Sequence, residues 1–340
     1  MRAMQIVNLT GPDGALELVE LPEPEPTHML GWAGSHSGVL VDVHCAGVAF
    51  PELLQTRGSY QIKPPLPFVP GSEVAGIVRS VGGRGSDPGV GEPGLEVGDR
   101  VAAFCALGGF AETAVAPPFL TFALPAALDF AQGAGLILNY HTAYFSLVLR
   151  GRLREGETVL VHGAAGGVGT AALQVAKGLG ARTIAVVSSD AKQQVALEAG
   201  ADHVVRSDGP WKDEVKELSG GGVEVVFDPV GGSRFTDSLR ALREGGRLLV
   251  VGFAGGSIPE VKVNRLLLGN TEVIGAGWGG YVMGRPEVNL EIGAAVNRLI
   301  EQGNVSPIVG ERFPLERAAD ALRFLDERRA TGKVVLDVRS

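Results

Sequence analysis

The chain is poor in the residues that build secreted or metal-bound scaffolds. Among 340 residues there are two cysteines, Cys45 and Cys105, and six histidines. Two cysteines exclude a disulfide framework and suit a reducing compartment. Both read as small buried apolar residues. Long apolar runs are missing as well. The opening stretch, MRAMQIVNLTGPDG, lacks the apolar core of a signal peptide, and no segment is long enough to span a bilayer. The expected setting is the cytoplasm, with no membrane partner. Positive charge is in deficit, with 30 Lys and Arg against 38 Asp and Glu and a net charge of −8. A surface of that sign repels nucleic acid, which is excluded as a general partner. Glycine is abundant, at 50 residues, and is dispersed among turns without a repeat or a low-complexity tract. The length fits two domains.

The most informative stretch is Thr158–Gly169, TVLVHGAAGGVG. An apolar strand, Val159–Val161, runs into a turn of small residues and then a helix. Val168, Ala172, Val175, Ala176 and Leu179 recur near the helical period and predict its buried stripe. Gly163, Gly166 and Gly169 are spaced to turn the chain tightly, admit a phosphate and pack helix on strand. The corner formed by Gly163, Ala165, Gly166, Gly167 and Val168 then presents the N–H groups of a helix start to a diphosphate. Ala165 stands where the standard G-x-G-x-x-G pattern has its middle glycine. A turn kept for packing alone is the competing reading.

Before this corner the chain reads as β-rich. Short apolar or alternating runs at Leu16–Leu21, Val39–His44, Ala75–Val81, Arg100–Phe104 and Ala111–Val115 are separated by Gly and Pro clusters. They suggest a barrel or sandwich. His28–Gly38 and Ser86–Gly94 look like exposed loop excursions. A helical stretch covers Asp129–Leu149. Strand–helix alternation follows: Thr183–Val187 with Lys192–Ala199, Val204–Val205 with Trp211–Ser219, Val223–Phe227 with Arg234–Leu242, then strands Leu248–Val251 and Val273–Ile274. This predicts a parallel sheet covered on both faces, with ligands at the carboxyl ends of its strands. The tail, with helices at Glu291–Glu301 and Pro314–Arg328 and a strand at Val334–Val338, is expected to rejoin the first domain and leave a cleft.

A dinucleotide-binding sheet that prefers NADH usually carries an acid at the end of its second strand, about 20 residues past the turn. Here Ser188 and Ser189 occupy that place, and Arg206 follows the third strand. Hydroxyls and a cation favour the extra phosphate of NADPH over NADH. Asp190 argues the other way unless it points outward, and a mere capping segment is the alternative. The nicotinamide is expected against Asp228–Gly232 and Gly252–Ala254, with Val230, Gly252 and Phe253 as contacts.

These segments together resemble the zinc-free quinone oxidoreductase branch of the medium-chain dehydrogenase/reductase superfamily. The likeness is carried by GVAFPELLQTRGSYQIKPPLPFVPGSEVAG (Gly47–Gly76), VGDRVAAF (Val97–Phe104), TAY (Thr142–Tyr144), VHGAAGGVG (Val161–Gly169), FDPVGG (Phe227–Gly232), GGRLLVVGFAGG (Gly245–Gly256) and GKVVL (Gly332–Leu336). It implies an α/β chain with a GroES-like β-rich catalytic domain, residues 1–128 and 279–340, around a Rossmann doubly wound parallel sheet, residues 129–278. It also implies a homodimer, NADPH and a small-molecule electrophilic acceptor, a quinone or an α,β-unsaturated carbonyl compound. An enoyl-thioester reductase, or an NADPH-binding protein with little catalysis, are the alternatives.

In the resemblance Lys192 matches a lysine on the 2′-phosphate. Thr142 and Lys333 match positions at the nicotinamide ribose and the diphosphate, with a helix-cap role and a surface charge as the plainer readings. Tyr60, in Arg57-Gly58-Ser59-Tyr60, matches a tyrosine that donates a proton in enoyl-thioester reductases, or else lines the pocket. The zinc-dependent relatives use Cys and His where this chain has Ala49 and Ser72, so no metal is expected. Ala49 also replaces an asparagine common in relatives, which Asn139 and Tyr140 either compensate or do not. Ser207 stands where relatives often carry tyrosine. Glu52 reads as a solvated or ion-paired surface residue, with a pocket acid as the alternative.

Overall fold

A computed structural model describes residues 1–26, 38–82 and 94–339. Apart from Gly38 and Gly94, the two expected loop excursions lie outside the described residues. In chain order the strands are β1 (Arg2–Ile6), β2 (Leu16–Glu20), β3 (Val39–Val48), β4 (Glu73–Val81), β5 (Arg100–Phe104), β6 (Thr113–Ala116) and β7 (Thr121–Ala123). Then come β8 (Thr158–Val161), β9 (Arg182–Val187), β10 (His203–Arg206), β11 (Val223–Asp228), β12 (Leu242–Val250) and β13 (Glu272–Gly275). β14 (Val309–Pro314) and β15 (Lys333–Asp337) end the series. Among the described residues no helix is long and apolar enough to cross a membrane.

The chain divides into two compact units. One comprises Met1–Leu138, Tyr281–Ala295 and Pro307–Ser340, and the other Asn139–Gly280 and Val296–Ser306. The first division thus falls ten residues later than the sequence suggests. Ala131 and Ala134 join an apolar cluster with Cys45, Ala75 and Val335, which ties the segment after Asp129 to the first unit. Val296–Ser306 belongs to the second unit because Leu299 and Asn304 lie against Gly178, and Gln174 bonds both the carbonyl and the N–H of Ser306 at 2.8 and 2.9 Å.

In the first unit β1 and β2 form an antiparallel ribbon. A seven-stranded sheet runs β14-β15-β3-β4-β5-β7, with β6 also paired to β3. Its ladders are antiparallel except β14 with β15. β3 is longer than its apolar run because it has neighbours on both sides, and only Asp42 and His44 of its ten residues are not fully buried. Val41, Val43, Val74, Val101, Phe110, Leu322 and Leu336 fill this core.

In the second unit the order is β10-β9-β8-β11-β12-β13, every ladder parallel. Numbered within the unit this is 3-2-1-4-5-6, the doubly wound order, whose switch point lies between β8 and β11. The strand centres, such as Val159–Val161, Ile184–Val187, Val225–Phe227 and Leu248–Leu249, are apolar and buried, as a sheet covered on both faces requires. The helix Gly167–Gly178 departs from its expected stripe. It is buried continuously from Gly169 to Ala176, whereas Val168 and Leu179 are only half-buried. Its glycine, alanine and threonine side chains let neighbours approach on several sides, so burial does not follow one face. The helical stretch after Asp129 is also less regular than expected. Ile137–His141 and Phe145–Arg150 are wound as π-helix around the single α-turn Thr142–Tyr144.

Candidate functional site

At the carboxyl end of β8 the chain must turn back into a helix within a few residues. Gly163 makes the turn at φ +57°, a conformation that a side chain disfavours. The N–H of Gly166 closes it on the Gly163 carbonyl at 3.0 Å. Gly169 serves a different end. A Cβ there would press on the Gly163 carbonyl oxygen and lie 2.8 Å from Ala164 Cα, so helix and turn touch backbone to backbone. Gly166 is the N-cap and no side chain caps the helix, while a Cβ on it would meet only the Gly163 oxygen at 3.5 Å. The first N–H groups of the helix are therefore offered outward at the positive end of the helix dipole, which suits a diphosphate. The Ala165 methyl is buried, leaving its backbone as the contact. Gly167 lies against the buried Asn139 amide.

Two further loops meet this corner. Asp228, at the end of β11 and 2% exposed, accepts the N–H groups of Val230 and Gly231, each at 2.9 Å. This folds the loop so that Val230 Cγ2 sits 3.2 Å from where a Gly163 Cβ would be. The loop after β12 is laid on it by Ala254 N–H to the Pro229 carbonyl at 3.1 Å and Gly255 N–H to the Val230 carbonyl at 2.8 Å. Phe253 packs over Gly231 and keeps part of its ring exposed. Gly163–Val168, Val230, Gly252 and Phe253 are thus gathered at the switch point. Thr142 is half-buried one turn past Asn139, at the start of the α-turn. Tyr140 is structural, its hydroxyl donating to Gln174 at 2.8 Å. Sequence reasoning missed His162, which is fully buried beneath the corner. Its Nε2 meets the Ser238 hydroxyl at 2.8 Å, and burial pushes its pKa down to about 4.

At the ends of β9 and β10 the polar residues also converge. The Ser189 hydroxyl accepts the Lys192 N–H at 3.3 Å, so this serine is the cap of the helix Asp190–Glu198. Lys192 Nζ reaches the Ser188 hydroxyl at 3.4 Å, and the Ser188 carbonyl accepts from Arg206 at 3.2 Å. Arg206 also pairs with Asp190 and Asp208. Asp190 is 93% exposed to solvent but turns its carboxylate to Arg206.

The first unit carries a cluster of buried charge. Glu52, Ser72, Glu73 and Lys333 are all less than 5% exposed. One placement corrects the sequence reading, since Glu52 is not at the surface, and another removes the plainer alternative for Lys333, which is not a surface charge. Lys333 Nζ pairs with Glu73, whose other oxygen accepts the Leu138 N–H at 2.9 Å. The ammonium expected at a diphosphate is thereby committed to a carboxylate. Glu52 accepts the Ala49 N–H at 2.9 Å and bonds the Ser72 hydroxyl. Burial pushes the Glu52 carboxyl up, against weaker opposition from Ser72 and Lys333. Tyr60 is half-buried, and burial with the nearby Glu52 raises its phenol, so it holds its proton. Burial likewise raises both thiols, Cys45 to about 12.

Zinc does not fit this cluster. Ala49 has no donor atom, Ser72 is bonded to Glu52, and the cation present is the Lys333 ammonium on Glu73. Among the described residues no group of three His, Cys, Asp or Glu side chains is placed to hold a metal ion.

Comparison with known proteins agrees with this geometry. Residues 35–126 match the alcohol dehydrogenase GroES-like domain, and residues 167–291 match the zinc-binding dehydrogenase family. Quinone oxidoreductase-like protein 2 of Mus musculus is 39% identical over 88% of this chain and 85% of its own length. A probable oxidoreductase from Mycobacterium abscessus superposes with a TM-score of 0.85 at 42% identity, over 99% of both chains. The Escherichia coli quinone oxidoreductase complexed with NADPH gives 0.85 at 30% identity, over 99% of this chain and all of the other. Fold and site define a medium-chain dehydrogenase/reductase with a GroES-like β domain and a Rossmann sheet. Within that superfamily the chain belongs to the quinone oxidoreductase family.

Proposed function

We propose that the chain binds NADPH and reduces a quinone or an α,β-unsaturated carbonyl compound without zinc. One observation carries this reading: an uncapped helix start at the switch point of a parallel sheet, with Ser188, Lys192 and Arg206 converging at the neighbouring strand ends. NADPH-complexed structures of similar quinone oxidoreductases support it. The helix start holds the diphosphate, and Ser188, Lys192 and Arg206 hold the 2′-phosphate. The loops at Val230 and Gly252–Phe253 form the wall for the nicotinamide, with Thr142 on the ribose side. When bound, the reduced nicotinamide supplies a hydride. Tyr60, kept protonated by its surroundings, donates the proton that the reduced acceptor takes up. Lys333, as part of the buried ion pair with Glu73, supports the first unit electrostatically. The chain assembles as a homodimer, which would cover Ile258, Val263, Leu267 and Leu268, all more than 70% exposed in the segment between β12 and β13.

Ala49 favours a second reading, a dinucleotide-binding protein with little catalysis, because a methyl group stands where relatives carry an amide. Calorimetry with NADPH and NADH, zinc analysis of the purified protein, and NADPH consumption with quinones and enones test the proposal together. Tight NADPH binding with turnover is expected. No heat with either dinucleotide, or stoichiometric zinc, overturns it. Tight binding with no turnover selects the second reading.

A further inference from the structure

The end of β10 holds a charge balance that a 2′-phosphate site does not need. Arg206 and Lys192 bring two positive charges there, and Asp190 and Asp208 bring two negative ones, both paired to Arg206. The cluster is neutral overall, so an arriving phosphate finds the guanidinium already engaged. The two sides of these pairs are not equally free to move. The Arg206 guanidinium is held from behind, where one terminal nitrogen donates to the Ser188 carbonyl at 3.2 Å. Asp190 and Asp208 are 93% and 69% exposed and can turn into water at little cost. Exchange of anions on a standing cation is the movement this arrangement permits.

Asp190 also differs from Asp208 in position. It is the first residue of the helix Asp190–Glu198, two residues beyond Ser188, where an NAD-binding sheet usually carries its acid for the ribose hydroxyls. A carboxylate near that place accepts hydroxyl hydrogens and repels a phosphate.

Building on the dinucleotide reading above, we propose that Asp190 is the residue that sets this chain's cofactor preference. Paired with Arg206, it leaves an acceptor for the ribose hydroxyls of NADH. Displaced from Arg206, it yields the cation to the 2′-phosphate of NADPH. The chain therefore binds both dinucleotides, and Asp190 holds the preference for NADPH below what Ser188, Lys192 and Arg206 would otherwise give.

The test is the dissociation constant of each dinucleotide, measured by calorimetry without any acceptor. Asp190→Asn keeps the size and the helix-start position of the residue and should leave thermal unfolding unchanged. It should tighten NADPH about 5-fold, as expected for removing one exposed like charge, and weaken NADH about 2-fold. Arg206→Gln should weaken NADPH by about 10-fold or more and leave NADH within about 2-fold. Raising salt should erase most of the gain in Asp190→Asn, because the affected charges are exposed. Unchanged NADPH affinity in Asp190→Asn, an equal shift for both dinucleotides, or a shift carried by Asp208→Asn instead overturns the inference while NADPH binding stands. Failure of the unsubstituted protein to bind either dinucleotide removes the reading beneath it as well.

Discussion

The glycine corner of the second unit and the charge cluster of the first hold their working groups by opposite means. At the corner, what is offered is backbone: helix-start N–H groups, aimed by a turn and framed by two loops from neighbouring strands. In the cluster, what is held is side-chain ionisable groups, the Glu73–Lys333 ion pair beside the Glu52 carboxyl, almost wholly out of water. A backbone site is sensitive to volume and indifferent to most charges. A buried charge cluster has the reverse sensitivity, because an unpaired ion in a low-dielectric interior is far costlier than a misplaced methyl group.

The largest expected effect tests the cluster. Lys333→Met leaves Glu73 buried without its counter-ion and should cost about 3–5 kcal/mol of stability in denaturant unfolding. Adding Glu73→Leu should recover most of that loss. If the double variant is no more stable than the single one, the cluster is not held by charge pairing.

The second effect separates two glycines of one corner. Gly169→Val, with no room against Ala164 and the Gly163 carbonyl, should cost about 3 kcal/mol. Gly166→Ala should leave the melting temperature unchanged, since nothing lies within 3.4 Å of its Cβ and its φ of −89° suits alanine. It should instead weaken NADPH binding in calorimetry, by blocking the approach of the diphosphate. Equal losses of stability in the two variants would deny them separate roles.

The third effect is the pH response of the corner. His162 has a folded pKa of about 4, below its ordinary 6.5, chiefly through burial, with Asp228 opposing and Arg234 adding to the shift. The unfolded chain then binds the extra proton between those values. Stability contributed by the neutral ring is complete above about pH 6.5 and falls by up to about 3 kcal/mol as pH drops toward 4. Urea unfolding across that range should show a shallower slope for His162→Gln.

The smallest effect has the opposite sign. The Glu52 carboxyl is raised by burial above its ordinary 4.5, so the stability tied to its proton is complete below that pH and is lost as pH rises through the folded value. Glu52→Gln keeps both hydrogen bonds and removes the titration. Its stability relative to the unsubstituted protein should grow from pH 5 to pH 8, and a constant difference would show Glu52 ionised in the folded state.

The two regions were not equally legible in the sequence. The corner lies within one short segment whose glycines, strand and helix are neighbours in the chain, and the turn at Gly163 and the close packing at Gly169 follow from spacing. The parallel sheet was legible for the same reason: its apolar strands announce burial on both faces. β7 and β14 gave no signal, the first having three residues and the second carrying Glu311 and Arg312 along a sheet edge. The π-wound segments after Leu136 hide behind ordinary helical composition. The burial of Glu52 and Lys333 was not legible, because charged side chains are usually at the surface and the burial of these two depends on partners far away in sequence.

Sequence alone determined where the chain turns, where its strands are apolar, and that a helix begins bare beside small residues. These are consequences of local sterics and of the period of burial, which act between near neighbours. Only the tertiary structure decided which charges lose their water. That depends on strands β3, β4 and β15 bringing Glu73 and Lys333 together from opposite ends of the chain, and desolvation is a property of the packed interior that no single segment carries.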